Sequence, residues 1–210
     1  MSVPRAKEGA ESVRKNIADV SNVLVLSDTD GPEARDLCPQ LLVADDPGET
    51  DLLWVTYTST PDDCLRRWLD HGGERPANLK VISVGDVIRS AAAQPGTTGA
   101  RSHTAVDSVS NPGDLTGLGI TVSEQLRAWS GDSNRTVACY DSLTTALQYV
   151  DLQTLYKFLH VLTGRFETVD ATAHFHLNPA AHDDATVNTL KSLFDAVVEP
   201  DDGGWHVARR

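Results

Sequence analysis

The chain is predicted to fold as an α/β domain around a largely parallel sheet that ends in a C-terminal β-hairpin. Three observations predict this. Short continuous apolar runs such as Asn22-Val-Leu-Val-Leu26 suit strands covered on both faces. Such runs alternate with segments that carry helix-start signals, the order expected of strand–helix–strand units. At the end, Ala196-Val-Val-Glu199 and Trp205-His-Val-Ala208 flank Asp201-Asp-Gly-Gly204, the pattern of a hairpin.

Residues 7–18 form a short lead-in helix, and 22–26 the first strand. Pro32 suits the first turn of a helix over 32–43, which Pro39 should interrupt. Leu52–Tyr57 is the second strand. Thr60 then caps a helix, Pro61 occupies its first position, Asp62 and Asp63 suit its positive end, and His71-Gly-Gly73 stops it. Leu79–Val84 is the third strand. Residues 90–114, rich in Ala, Gly, Ser and Thr, read as a long mobile or functional loop. A helix over 123–130 capped by Ser123, a strand over 136–140 and a helix over 151–164 ended by Gly164 follow. Ala171–Leu177 is a strand. Pro179 and Asp183-Asp184 lead into a helix with Val187, Leu190, Leu193 and Phe194 at helical spacing. Residues 1–20 are a lead-in segment and 21–210 one domain, with no internal repeat.

Length and composition limit the function. The 210 residues are enough to bury a substantial core. They contain no apolar run of membrane-spanning length and no signal-peptide h-region at the start, so a cytoplasmic location is expected. Net charge is −12, from 18 basic and 30 acidic residues. The excess is mainly Asp, with Lys rare, which resembles proteins of salt-accumulating halophiles. Nucleic acid is not an expected partner, because phosphate neutralisation needs clustered Lys and Arg. Arg66-Arg67 and Arg209-Arg210 are short basic pairs, not clusters. Cys38, Cys64 and Cys139 show no metal or disulfide spacing, and Cys139 reads as a small core residue.

Thr136-Val-Ala-Cys-Tyr-Asp-Ser142 is a buried strand ending in Asp-Ser, which resembles a Walker B strand. Together with Leu53-Trp-Val-Thr-Tyr-Thr-Ser-Thr-Pro61 and Gly113-Asp-Leu-Thr-Gly-Leu-Gly-Ile-Thr-Val-Ser123, in this order, it resembles the RecA/KaiC-like branch of P-loop ATPases. Leu177-Asn-Pro-Ala-Ala-His-Asp183 resembles a haloarchaeal, HTR-like group of that branch. The resemblance spans about residues 20–210 and implies a single RecA-like three-layer domain. It also places the phosphate loop at Ser27–Asp36. No Lys stands there, and Asp28, Asp30 and Glu33 would repel phosphate. The family's catalytic Glu would fall at Thr58 or Ser59. The expectation is therefore a degenerate pseudo-ATPase with no cofactor and no small-molecule ligand. Asp141 and Ser142 are then a vestigial Walker B pair. The function so implied is regulation or scaffolding through a protein partner or self-association. The alternative is a nucleotide-binding protein or weak ATPase completed by a partner subunit.

Other motifs have plainer readings. Gly96-Thr-Thr-Gly-Ala-Arg-Ser102 imitates a phosphate loop but follows Ala91-Ala-Ala, not a strand. His174 and His176 share a strand face and, with His182, Asp183 and Asp184, could surround a metal. Surface and cap roles account for them as well, and no metal is expected. The resemblance also makes His176 or Asn178 a remnant nucleotide sensor. No nucleophile elbow surrounds Ser142. The stripe Tyr149, Leu152, Leu155, Tyr156, Leu159, Leu162 is core, part of which could meet a partner.

Overall fold

The computed structural model describes residues 4–27, 37, 39–42, 46–72, 74–85, 104–201 and 204–210. Eight strands form one sheet in the order β4-β3-β2-β5-β6-β1-β7-β8. They are β1 (Asn22–Leu26), β2 (Thr50–Thr56), β3 (Asn78–Val84), β4 (Thr104–Val109), β5 (Arg135–Asp141), β6 (Thr172–Leu177), β7 (Ala196–Asp201) and β8 (Gly204–Arg209). Every pairing is parallel except the terminal β7–β8 hairpin, as expected. The helices are α1 (Pro4–Asn16), α2 (Pro61–Gly72), α3 (Leu115–Trp129), α4 (Leu143–Ala146), α5 (Leu152–Thr168) and α6 (Asp184–Lys191).

The period-two alternation of the strands sends their side chains to two different cores. One face receives Leu24, Leu53, Val55, Tyr140 and Phe175 and is covered by α3, α4, α5 and α6 in one continuous cluster. The other face is split. Trp54, Val81 and Cys139 pack with Cys64 and Trp68 of α2. Val23, Val25 and Val198 pack with Val13 of α1, with Ile17 just after that helix, and with Leu37 and Leu41. His174 separates the two clusters, in register with Val23 on one side and Cys139 on the other. These are the three layers of an α/β domain.

Local signals explain the helix starts. Thr60 Oγ1 accepts from Asp63 N–H at 3.2 Å and donates to the Asp63 carboxylate at 2.7 Å, a side-chain exchange that opens α2. Asp151 and Asp183 cap α5 and α6 by accepting from Thr154 and Thr186 N–H. Residues 37 and 39–42 take helical backbone around Pro39.

Three expectations need correction. Part of the expected 90–114 loop is strand β4, at the sheet edge in register with β3, while 90–103 lie outside the described residues. Edge strands tolerate Thr, Asp and Ser, so this one has no apolar run to reveal it. The helix expected over 123–130 begins at Leu115, capped by Asp114, which accepts from Gly117 N–H at 2.8 Å. Ser123 is inside it, donating to Gly119 C=O. Two glycines inside the helix serve close packing. A Cβ on Gly117 would sit 2.4 Å from the Asp114 carboxylate, and one on Gly119 would meet Phe158 at 3.3 Å. Finally, α5 runs past Gly164 to Thr168, because Phe166 is still buried, and the chain turns at Asp170 with φ 55°.

Candidate functional site

In a parallel sheet the chain leaves every strand at the same edge, and a crevice opens where neighbouring strands send their connections to opposite faces. Here β2 leads to α2 on the split face, while its neighbour β5 leads to α4 and α5 on the continuous face. The same reversal occurs between β1, whose following residues Leu37 and Leu41 lie on the split face, and β6, which leads to α6 on the continuous face. The carboxyl ends of β2, β5, β6 and β1 therefore form the candidate site.

At the first crevice Ser83, Thr56 and Asp141 stand side by side in register on the split face. Thr56 is fully buried, and its hydroxyl accepts from Ser59 N–H at 2.9 Å, turning the chain toward α2. The turn brings Arg67 of α2 back over the strand ends. Its guanidinium lies 3.7 Å from the Asp141 carboxylate and donates to the Ser59 hydroxyl at 3.2 Å. Both charged side chains remain partly exposed, at 24% and 21%. Ser142 faces the other way. Its hydroxyl accepts from Thr145 N–H at 3.3 Å and so caps α4. The Asp141–Ser142 peptide bond is cis. Below it on the continuous face, the Tyr57 and Tyr140 hydroxyls bond at 2.9 Å, and Tyr140 stacks on Phe175. Burial holds both phenols above the ordinary tyrosine range.

The second crevice is polar without being satisfied. Ser27, at the end of β1, continues the ladder by donating its N–H to Leu177 C=O, yet its buried hydroxyl has no partner. His176 Nε2 and both ring nitrogens of His174 are buried and unpartnered too. Burial, with smaller contributions from His176 and Arg135, pushes His174 down to about 3, so its ring is neutral. At His176 burial opposes the cation, but Cys139 and the Asp141 carboxylate outweigh it and the net direction is upward.

The remaining sequence candidates are placed as follows. His182, Asp183 and Asp184 lie at the start of α6, where Asp183 is its cap. Among the described residues no group of three or more His, Cys, Asp or Glu side chains could hold a metal. The Asn178 side chain accepts from Ala180 N–H and its backbone N–H donates to Thr144 Oγ1. Cys64 and Cys139 are buried and not disulfide-bonded, and burial pushes the Cys64 thiol far up, so Cys64 offers no ready thiolate. In the α5 stripe Leu155, Leu159 and Leu162 are core, whereas Tyr149 precedes the helix and is 53% exposed. Asp28, Asp30, Glu33, Cys38 and Gly96–Ser102 lie outside the described residues. Sequence reasoning missed Arg67 as the partner of Asp141. The available signal was its place one turn after Cys64, beside the buried face of α2.

Among the described residues no helix is long and apolar enough to cross a membrane. No curated protein matches the chain by sequence. Several solved structures share its fold. PH0250 from Pyrococcus horikoshii OT3 superposes with a TM-score of 0.57 at 14% identity, covering 96% of this chain and 92% of that one. The flagellar accessory protein FlaH from Methanocaldococcus jannaschii gives 0.53 at 12%, covering 89% and 75%. The uncharacterized protein PH0321 from Pyrococcus horikoshii, solved in complex with an unknown peptide, gives 0.58 at 10%, covering 94% and 86%. At these identities the likeness establishes the fold, a single RecA-like domain, and leaves the activity open. The sequence matches the profile of the family of unknown function DUF7504 over residues 20–200, and the chain belongs to that family.

Proposed function

We propose that this protein is a non-catalytic member of the RecA-like fold that works as a regulator or scaffold through protein contacts, in the cytoplasm of a salt-accumulating archaeon. The ion pair between Arg67 and Asp141 carries this reading. The carboxylate in the position to hold Mg²⁺ faces a guanidinium, which competes for the same oxygens and repels a second cation. The neighbouring strand β2 is followed by Tyr57-Thr58-Ser59, which supplies hydroxyls but no carboxylate to act as general base. The acidic composition supports the halophilic setting. FlaH, of similar fold, is named an accessory protein, and PH0321 was solved with a peptide, which is consistent with protein contacts as the working mode.

The unpartnered polar groups of Ser27 and His176 favour a second reading, in which the β1/β6 crevice still takes a ligand such as a nucleotide. Calorimetry with Mg-ATP and Mg-ADP, comparing the natural protein with Asp141→Ala, separates the two. The scaffold reading expects no heat in either protein. A Kd below about 100 μM, worth roughly 5.5 kcal/mol, that Asp141→Ala abolishes would overturn it in favour of a nucleotide switch.

A further inference from the structure

The outer surface of the continuous face carries a groove along the seam between α3 and α5. Two adjoining cavities of about 530 and 290 Å³ lie on this seam and share Ser123, Arg127, Val161 and Arg165. The two helices both run antiparallel to the strands they follow, so they are parallel and their C-terminal ends meet at one end of the groove. Its floor includes Leu162 and Phe158, and small residues keep it open. Gly119 lies against Phe158, and Gly164 leaves space that a side chain would fill. Ile120 and Val161 are 55% and 59% exposed in its wall. They are two of the four large apolar side chains most exposed among the described residues, and they face the same seam. A helix of 15 residues spans roughly 20 Å, so the groove is three to four turns long.

Its charge is opposite to that of the molecule. The chain carries a net charge of −12, yet Arg127, Lys157 and Arg165 border the groove against one acid, Glu124. Elsewhere Lys15, Arg66, Arg67, Lys80, Lys191 and Arg209 each hold a carboxylate as an ion pair. Among the described residues no carboxylate pairs with Arg127, Lys157 or Arg165. Arg127 and Arg165 sit in the last turns of their helices, where the helix dipole favours cations. That does not account for Lys157, in the first turn but one of α5, or for the shared lack of partners.

We infer that the α3/α5 groove is the docking site for an amphipathic helix of a partner protein. That helix presents an apolar stripe at i, i+3/i+4 and i+7 to Ile120 and Val161, and flanking Asp or Glu to Arg127, Lys157 and Arg165. Two copies of this chain placed groove to groove would bring six cations together, which disfavours symmetric self-association through this face. The inference rests on the reading of the chain as a protein-contact scaffold and names its partner's chemistry. It does not depend on what the strand-end crevice binds.

The test is a selection from a displayed library of helical 15-residue peptides against the intact chain in molar KCl, the salt of the proposed setting. Hits are then measured by fluorescence anisotropy. The expected hits combine an apolar stripe with acidic flanks. They should weaken at least tenfold against Arg127→Glu/Lys157→Glu/Arg165→Glu and against Val161→Asp. Both variants alter exposed side chains, and unchanged thermal melting shows that they are folded. Failure to enrich any peptide, basic flanks in the hits, or binding indifferent to both variants overturns the inference. So does a natural dimer that Val161→Asp makes monomeric, or binding to phosphatidylglycerol vesicles that the charge reversal abolishes while no peptide binds. None of these outcomes bears on the nucleotide calorimetry, so failure here and failure of the scaffold reading remain distinct.

Discussion

The two faces of the sheet are built from the same strands but finished differently. On the continuous face Phe175 sits at the centre of an aromatic series, 5.7 Å from Tyr140, 6.0 Å from Phe166 and 5.0 Å from Phe194. The flanking residues on the same strand, His174 and His176, point to the other face and interrupt its core with buried ring nitrogens that lack partners, both of them at His174 and Nε2 at His176. The same alternation thus gives one face an unbroken apolar core and the other a polar band that leads to Asp141 and Ser27. Unsatisfied buried polar groups weaken a fold. Their concentration on the split face marks where this domain gives up stability, and the strand ends beside them are where a RecA-like fold presents its crevice.

The largest expected effect tests the continuous face. Phe175→Ala should cost about 3–5 kcal/mol, read from urea unfolding. A loss below about 1.5 kcal/mol would mean that this core is looser than its packing implies, and the contrast between the faces would fail.

The second prediction tests the split face through pH. His174 is held neutral, down to about 3 against the ordinary value of 6.5. Because its folded value is depressed, the unfolded chain binds the extra proton first as pH falls. The contribution of His174 to stability is thus complete above pH 6.5 and is lost progressively toward pH 3. The slope approaches about 1.4 kcal/mol per pH unit. Between pH 6 and pH 4 the natural protein should lose about 2–3 kcal/mol more than His174→Leu. Equal acid sensitivity of the two proteins in urea titrations would show that His174 takes up its proton without unfolding.

The smallest effect concerns the crevice. Arg67 and Asp141 are partly exposed, so Arg67→Ala should change stability by less than about 1 kcal/mol. A larger loss in thermal unfolding would make the pair a structural brace rather than an electrostatic block on the carboxylate.

Much of the architecture was legible in the sequence because it is locally encoded. The apolar runs at 22–26, 52–57 and 79–84 place strands, Thr60-Pro61 and Asp183 place helix starts, and the Gly-rich turn after Asp201 places the hairpin. The misses have local causes too. Gly117 and Gly119 disfavour helix in isolation, and only Asp114 and Phe158 packed against them make their lack of a side chain an advantage. β4 lacks an apolar run because an edge strand has one neighbour and one open side. Of the candidate site, Asp141 and Ser142 were legible from the strand that carries them, but not their separate roles as ion-pair partner and helix cap.

By itself the sequence determined the fold class, the chain order of most elements and the acidic surface, since each depends on residue types at short spacing. The tertiary structure alone decided the rest. It set the strand order that puts β5 beside β2 and β6 beside β1, and with it the two crevices. It brought Arg67 across to Asp141, 74 positions further along the chain. It also joined the outer sides of α3 and α5 into one basic-rimmed groove. These depend on contacts between segments far apart in sequence, and such contacts exist only once burial of both sheet faces has brought the segments together.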